Sequence, residues 1–116
     1  MTRTRQLRHG DHVGVRVCKW DRPKISRQLE AVINTESIVS KIPAKIWQEL
    51  DVKPLFEHWQ TRKPAGLVLF NLRAHRASDS VIVTKGRASL SLPILTGMGY
   101  WEDSETGRLH WSLPRL

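Results

Sequence analysis

The sequence predicts an α+β fold in a single domain: an N-terminal strand, two or three short helices, then an antiparallel β-meander of four to five strands. Three observations predict it. Apolar residues alternate near the start of the chain, recur at helical spacing through the middle third, and return to alternation after Gly66. The 116 residues are 40% hydrophobic and 26% charged, a composition that folds rather than one that stays disordered. A chain of this length builds one core without disulfide or metal staples.

The elements follow in order. Residues 1–10, Thr- and Arg-rich with a single Leu, read as a flexible basic arm, and 11–116 as one α+β domain. In "DHVGVRVCKW", Val13, Val15 and Val17 share one face while Gly14, Arg16 and Cys18 share the other, as in a half-buried strand. "DRPK" ends that strand, because Pro23 offers no N–H to a central ladder. Ile25, Leu29, Val32 and Ile33 then form a helical stripe. The turn formers of "NTESIVSK" break it. Pro43 stands at the first position of a second helix, "IPAKIWQEL", whose apolar side is Ile46, Trp47 and Leu50. Asp51 and Pro54 repeat the device for "DVKPLFEHWQTRK", with Leu55, Phe56 and Trp59 facing inward and Trp47 and Trp59 in the core.

Beyond Gly66, "LVLFNLRAH" reads as a strand buried on both faces, or nearly so, and "NLRAHRASDS" as the loop after it. "VIVTKGRASLSLP" reads as two strands about a Lys85–Gly86 turn, with Gly86 at positive φ. "ILTGMG" reads as a connector. "YWEDSETGRLHWSL" is a hairpin in which Gly107 takes a bulge or left-handed position and Trp101 pairs with His110. No internal repeat is present in the sequence.

Charge is the strongest functional signal. The formal net charge is +8 with a pI near 10.4. Met1–Gln28 hold eight of the nineteen Lys and Arg, against two of the eleven Asp and Glu. A surplus this local fits a polyanionic partner, and arginine favours bidentate contact with phosphate. The expected phosphate contacts are Arg3, Arg5, Arg8, Arg16, Lys19, Arg22, Lys24 and Arg27, joined by Arg73 and Arg76 of the later loop. Five Trp are an unusual share of so short a chain. Trp20, Trp101 and Trp111 are the candidates for base stacking or for contact with a protein partner. The plain alternative is a solubilising charged tail, with those Trp capping the ends of the sheet.

Other chemistries find less support. His9, His12 and Cys18 lack the fourth ligand and the spacing of a zinc site, so no metal and no cofactor are expected. Glu102, Asp103 and Glu105 read as a solvated acidic tip or a contact point for a basic partner. His58, His75 and His110 each lie near a base, and Arg73, His75, Arg76 and Asp79 form the best stretch for a metal-independent ribonuclease. That order of elements suits small toxin-like ribonucleases at the level of architecture alone, and no motif accompanies it. One cysteine, no apolar run of membrane-spanning length and no apolar stretch after the basic start make a cytoplasmic location the expectation. The reading is therefore a small, basic, non-catalytic nucleic-acid-binding protein with no membrane partner. The runner-up is a protein–protein interaction module, an inhibitor or adaptor such as a mobile element encodes, acting on a nucleic-acid-processing complex. The third is a small toxin-like ribonuclease.

Overall fold

The structure, a computed structural model, describes residues 6–111. It is a closed six-stranded β-barrel. Strands make up 53% of the described residues and helices 11%, which overturns the α+β meander expected from the sequence. The elements are β1 (Gln6–Leu7), β2 (His12–Lys19), β3 (Arg22–Asn34), β4 (Ser40–Pro43), α1 (Ala44–Glu49), β5 (Phe56–Glu57), β6 (Pro64–Leu72), β7 (His75–Thr84), β8 (Ala88–Ser91), α2 (Leu92–Gly97), β9 (Trp101–Glu102) and β10 (Leu109–His110). The barrel runs β2-β3-β8-β4-β7-β6 and closes through β6 onto β2, with β5 added beside β6. A small sheet, β1-β10-β9, stands beside it.

The topology repeats where the sequence does not. Hairpin β2–β3, strand β4 and helix α1 form one half; hairpin β6–β7, strand β8 and helix α2 form the other. Each half sends its third strand into the other: β8 lies parallel to β3, and β4 lies parallel to β7. The halves meet where β2 pairs with β6 and where β4 pairs with β8, both antiparallel. A simple meander cannot produce these two parallel crossovers.

The core is what the alternation of β2 and β6 dictates. Val15, Val17, Val68 and Phe70 point into the barrel and are wholly buried. Ala31, Ile33, Ile42, Val81 and Leu90 complete the same interior.

Four helix and loop expectations are corrected. First, the stripe at 25–33 is not helical; it belongs to β3. Ile25, Leu29, Ala31 and Ile33 also share strand parity, and they turn toward the core while Gln28 and Glu30 face solvent. Long-range pairing decides between the two periods, with β2 on one edge and β8 on the other. Pro23 does not end a strand but sits inside β3. The register slips there, Cys18 facing Ser26 and Lys19 facing Arg22, so residues 23–25 have no partner on β2. That is where a ladder tolerates proline.

Second, "DVKPLFEHWQTRK" forms no helix. Leu55, Phe56 and Trp59 do not face inward; they are exposed, Trp59 by 72%. The segment runs along the barrel rim as β5 and a turn, and no second layer lies over it to receive the apolar side chains. Trp47, on α1, is packed against the core as expected. Third, "ILTGMG" lies in α2 and its continuation rather than in a plain connector. Pro93 enters the first turn, and Ile94 and Leu95 are buried. Fourth, the expected loop at 71–80 is a tight turn, Arg73–Ala74, between β6 and β7, so Arg76 and Asp79 are strand residues.

Gly86 does not take the positive φ expected of it, whereas Gly107 does, at +70°. The β9–β10 hairpin pairs Trp101 with His110 as the sequence indicates. Within the segment read as an arm, Leu7 of β1 is buried in the core and pairs with Leu109.

Candidate functional site

The outer face of the barrel carries a polar row across four strands. Arg16 on β2 lies opposite Gln28 of β3 on one side and Asn71 of β6 on the other, and Asn71 lies opposite Arg76 of β7. With strands ~4.8 Å apart, the row spans roughly 15 Å. It crosses a depression of about 510 Å³ whose lining includes Gly14, Cys18, Pro23 and Arg73, with no carboxylate.

Local chemistry fixes this face. The Asn71 side chain accepts from Arg76 Nε at 2.9 Å and donates its amide to Cys18 Sγ at 3.3 Å. The amide is thereby oriented from both ends, and Arg76 is held with the rest of its guanidinium toward solvent. Cys18, a buried thiol, serves here as an acceptor. Arg73 occupies the β6–β7 turn in the left-handed region, φ 56°, a conformation that non-glycine residues adopt in few places. Gly14 keeps the floor open; the nearest atom to a Cβ built there is Gln28 Nε2 at 3.5 Å.

The structure gathers three of the expected phosphate contacts, Arg16, Arg73 and Arg76, and treats the others differently. Lys19 is paired with Asp51 at 3.6 Å and Arg27 with Glu49 at 3.0 Å, which offsets part of their charge. Arg22 and Lys24 are exposed beside the β2–β3 turn and ion-pair with no carboxylate among the described residues. Arg8 is exposed after β1. Arg3 and Arg5 lie outside the described residues.

The three candidate Trp also separate. Trp101 stacks on His110 at 4.8 Å, and Trp111 packs against His75 at 4.3 Å. Trp20, 51% exposed in the β2–β3 turn, makes no ring contact among the described residues.

The histidine constellation is not assembled. His75 and Asp79 share one parity of β7 and Arg76 the other, so the strand turns them to opposite faces. His75 lies between Tyr100 and Trp111. The buried His58 ring accepts, at Nδ1, from the N–H groups of Gln60 and Thr61 at 3.3 Å each. Burial raises the Asp79 pKa above its ordinary value, opposed by the Ser80 N–H and by His58. In the acidic tip, the Glu105 N–H bonded to Asp103 is the main cause holding that carboxyl below its ordinary value.

Sequence reasoning missed two features. Gln28 and Asn71 carry no signal by themselves; only the register places them beside Arg16. The second is a smaller cleft of about 390 Å³ between the loop at 34–41 and the turn at 60–61, with exposed Ile38 on its lining. The adjoining hairpin bears the exposed Leu55, Phe56 and Trp59. No helix among the described residues is long and apolar enough to cross a membrane. No known protein family's sequence profile matches the chain, and a search of curated proteins finds no match.

Proposed function

We propose that this chain is a non-catalytic nucleic-acid-binding protein that holds the sugar–phosphate backbone in the Arg16–Arg73–Arg76 depression. One observation carries the reading: three arginines from β2, the β6–β7 turn and β7 converge on a recess lined by no acid. Guanidinium groups in that arrangement suit bidentate phosphate contact. The net charge of +8 draws a polyanion to the surface before any contact forms.

The test is fluorescence anisotropy with labelled DNA and RNA across a salt series. Each arginine that neutralises a phosphate adds about one to the magnitude of the log–log salt slope. Arg16→Ala and Arg76→Ala are each expected to weaken binding and flatten the slope by about one. Absence of binding at low salt, or slopes unchanged in both variants, would overturn the proposal. An arm-deletion control must stop at residue 5, because removing Leu7 opens the core.

A second reading, a protein-binding module, rests on Leu55, Phe56 and Trp59, three large apolar side chains exposed together on one rim hairpin. It predicts that peptides selected from a displayed library on the immobilised protein lose binding to Trp59→Ser, while nucleic-acid affinity is untouched.

A further inference from the structure

We infer that the strand held in the basic depression is single-stranded, with one base stacked on Trp20. The inference rests on the nucleic-acid reading above and names its ligand class. Pro23 lines the depression, and the two-residue turn Trp20–Asp21 immediately precedes the start of β3 that carries it. From Arg16 to Trp20 the chain advances four residues, roughly 13 Å along a strand. One end of the track is therefore cationic, with Arg16, Arg73 and Arg76. The other is a solvent-facing indole flanked by Arg22 and Lys24.

Among the three Trp expected to stack, Trp20 is the one whose ring meets no other ring among the described residues; Trp59, more exposed, lies in the turn between β5 and β6, at the opposite end of β6 from Asn71. Trp101 and Trp111 have their rings against His110 and His75, and Trp47 is packed on the core. The turn itself does not call for tryptophan; Gly, Asn, Asp and Pro supply turn geometry, and an indole supplies none of it. A base can lie on an indole only when it is unstacked from its neighbours, which a single strand permits and a duplex resists. The helices offer no alternative mode of duplex reading. Each has six residues, about 9 Å long, and α1 carries Glu49 tied to Arg27.

The experiment measures anisotropy of a labelled fifteen-nucleotide oligothymidine and of a fifteen-base-pair duplex on the full chain, at fixed salt and across a salt series. Wild type is compared with Trp20→Ala, Trp20→Phe and Arg16→Ala, each shown by urea denaturation to be folded. Stacking worth ~1–3 kcal/mol per base corresponds to about 5- to 150-fold in affinity. The expected result is tighter binding of the single strand by at least about tenfold. Trp20→Ala loses about 5-fold or more on the single strand, keeps the wild-type salt slope and leaves the duplex unaffected. Trp20→Phe restores most of the loss. Arg16→Ala weakens both polymers and flattens both slopes. Equal affinity for both polymers, or a Trp20→Ala variant that binds the single strand as wild type does while Arg16→Ala fails, overturns the inference and leaves the phosphate site standing. Failure of wild type to bind either polymer overturns the functional reading together with this one.

Discussion

Ser40 and Ser91 form a buried polar pair between β4 and β8, and removing either hydroxyl has unequal consequences. Both residues are wholly buried, one at the start of β4 and the other at the end of β8. Ser40 Oγ lies 3.0 Å from Ser91 Oγ and also accepts from the Ser91 N–H at 3.0 Å. Ser91 stands at the N-cap of α2 yet makes no side-chain cap bond; its hydroxyl is engaged with Ser40 instead. Ser40→Ala therefore strands two buried groups, the Ser91 N–H and the Ser91 hydroxyl. At ~1–3 kcal/mol for each unsatisfied group, the expected loss is about 2–6 kcal/mol. Ser91→Ala removes one neutral hydrogen bond and leaves the backbone N–H still bonded to Ser40 Oγ, so it costs about 1 kcal/mol. In the double variant the stranded hydroxyl is gone as well, so it should be no less stable than Ser40→Ala alone. Urea denaturation of the four proteins, with equal m-values, closes the double-mutant cycle. A strictly additive cycle, or a Ser91→Ala loss as large as that of Ser40→Ala, would refute the reasoning. On a total stability of ~5–15 kcal/mol, the larger effect is easily read.

Other outcomes follow from the same geometry. Burial raises the Asp79 pKa in the folded state, so the folded protein holds that proton more tightly than the unfolded chain does. This group's contribution to stability therefore grows as pH falls through the raised value, and its charge costs stability at neutral pH. Asp79→Asn keeps the acceptor for the Ser80 N–H, whose bond to Oδ1 is 2.8 Å long. It should be more stable than wild type at pH 7, with the gap closing on acidification toward the ordinary carboxylate pKa; a gap that widens toward acid would contradict this. Gly66→Ala puts a Cβ 2.5 Å from Val52 Cγ1 and 2.7 Å from the Lys53 carbonyl oxygen, which is backbone and cannot rotate away. It should cost about 1–3 kcal/mol, read as a lowered urea midpoint, and an unchanged midpoint would show that the rim yields freely. Gly14→Ala meets only Gln28 Nε2 at 3.5 Å, so its stability should stay within about 0.5 kcal/mol of wild type. Its methyl narrows the floor of the depression, and oligonucleotide affinity should fall; unchanged affinity would place the contact elsewhere.

Particular residues show where local pattern was enough. Val13, Val15 and Val17 alternate with Gly14 and Arg16, and the strand forms with those faces, because period two has a single solution when one face is apolar. Pro43 leads into α1, because its ring fixes φ locally, and Gly107 takes the left-handed turn of the last hairpin, because glycine has no Cβ to penalise a positive φ. The sequence also carries the basic surplus, whereas Trp59, which its apolar neighbours place in the core, is exposed.

The remaining decisions were tertiary. Ile25, Leu29 and Ile33 satisfy a helix and a strand equally well, and β3 exists because β2 and β8 offer it two edges to pair with. Leu55, Phe56 and Trp59 look like one face of a helix but lie on a rim that nothing covers. The candidate site itself is a product of closure. Asn71 reaches Cys18 across 53 residues of chain, and it stands between Arg16 and Arg76 in register across β2, β6 and β7. Side-chain periodicity is a property of neighbours along the chain, so the sequence by itself determined which segments are amphipathic and how charge is distributed among them. Which strand lies beside which is set by hydrogen-bonded edges that must all be satisfied together when the barrel closes, and that register brought the three arginines into one recess.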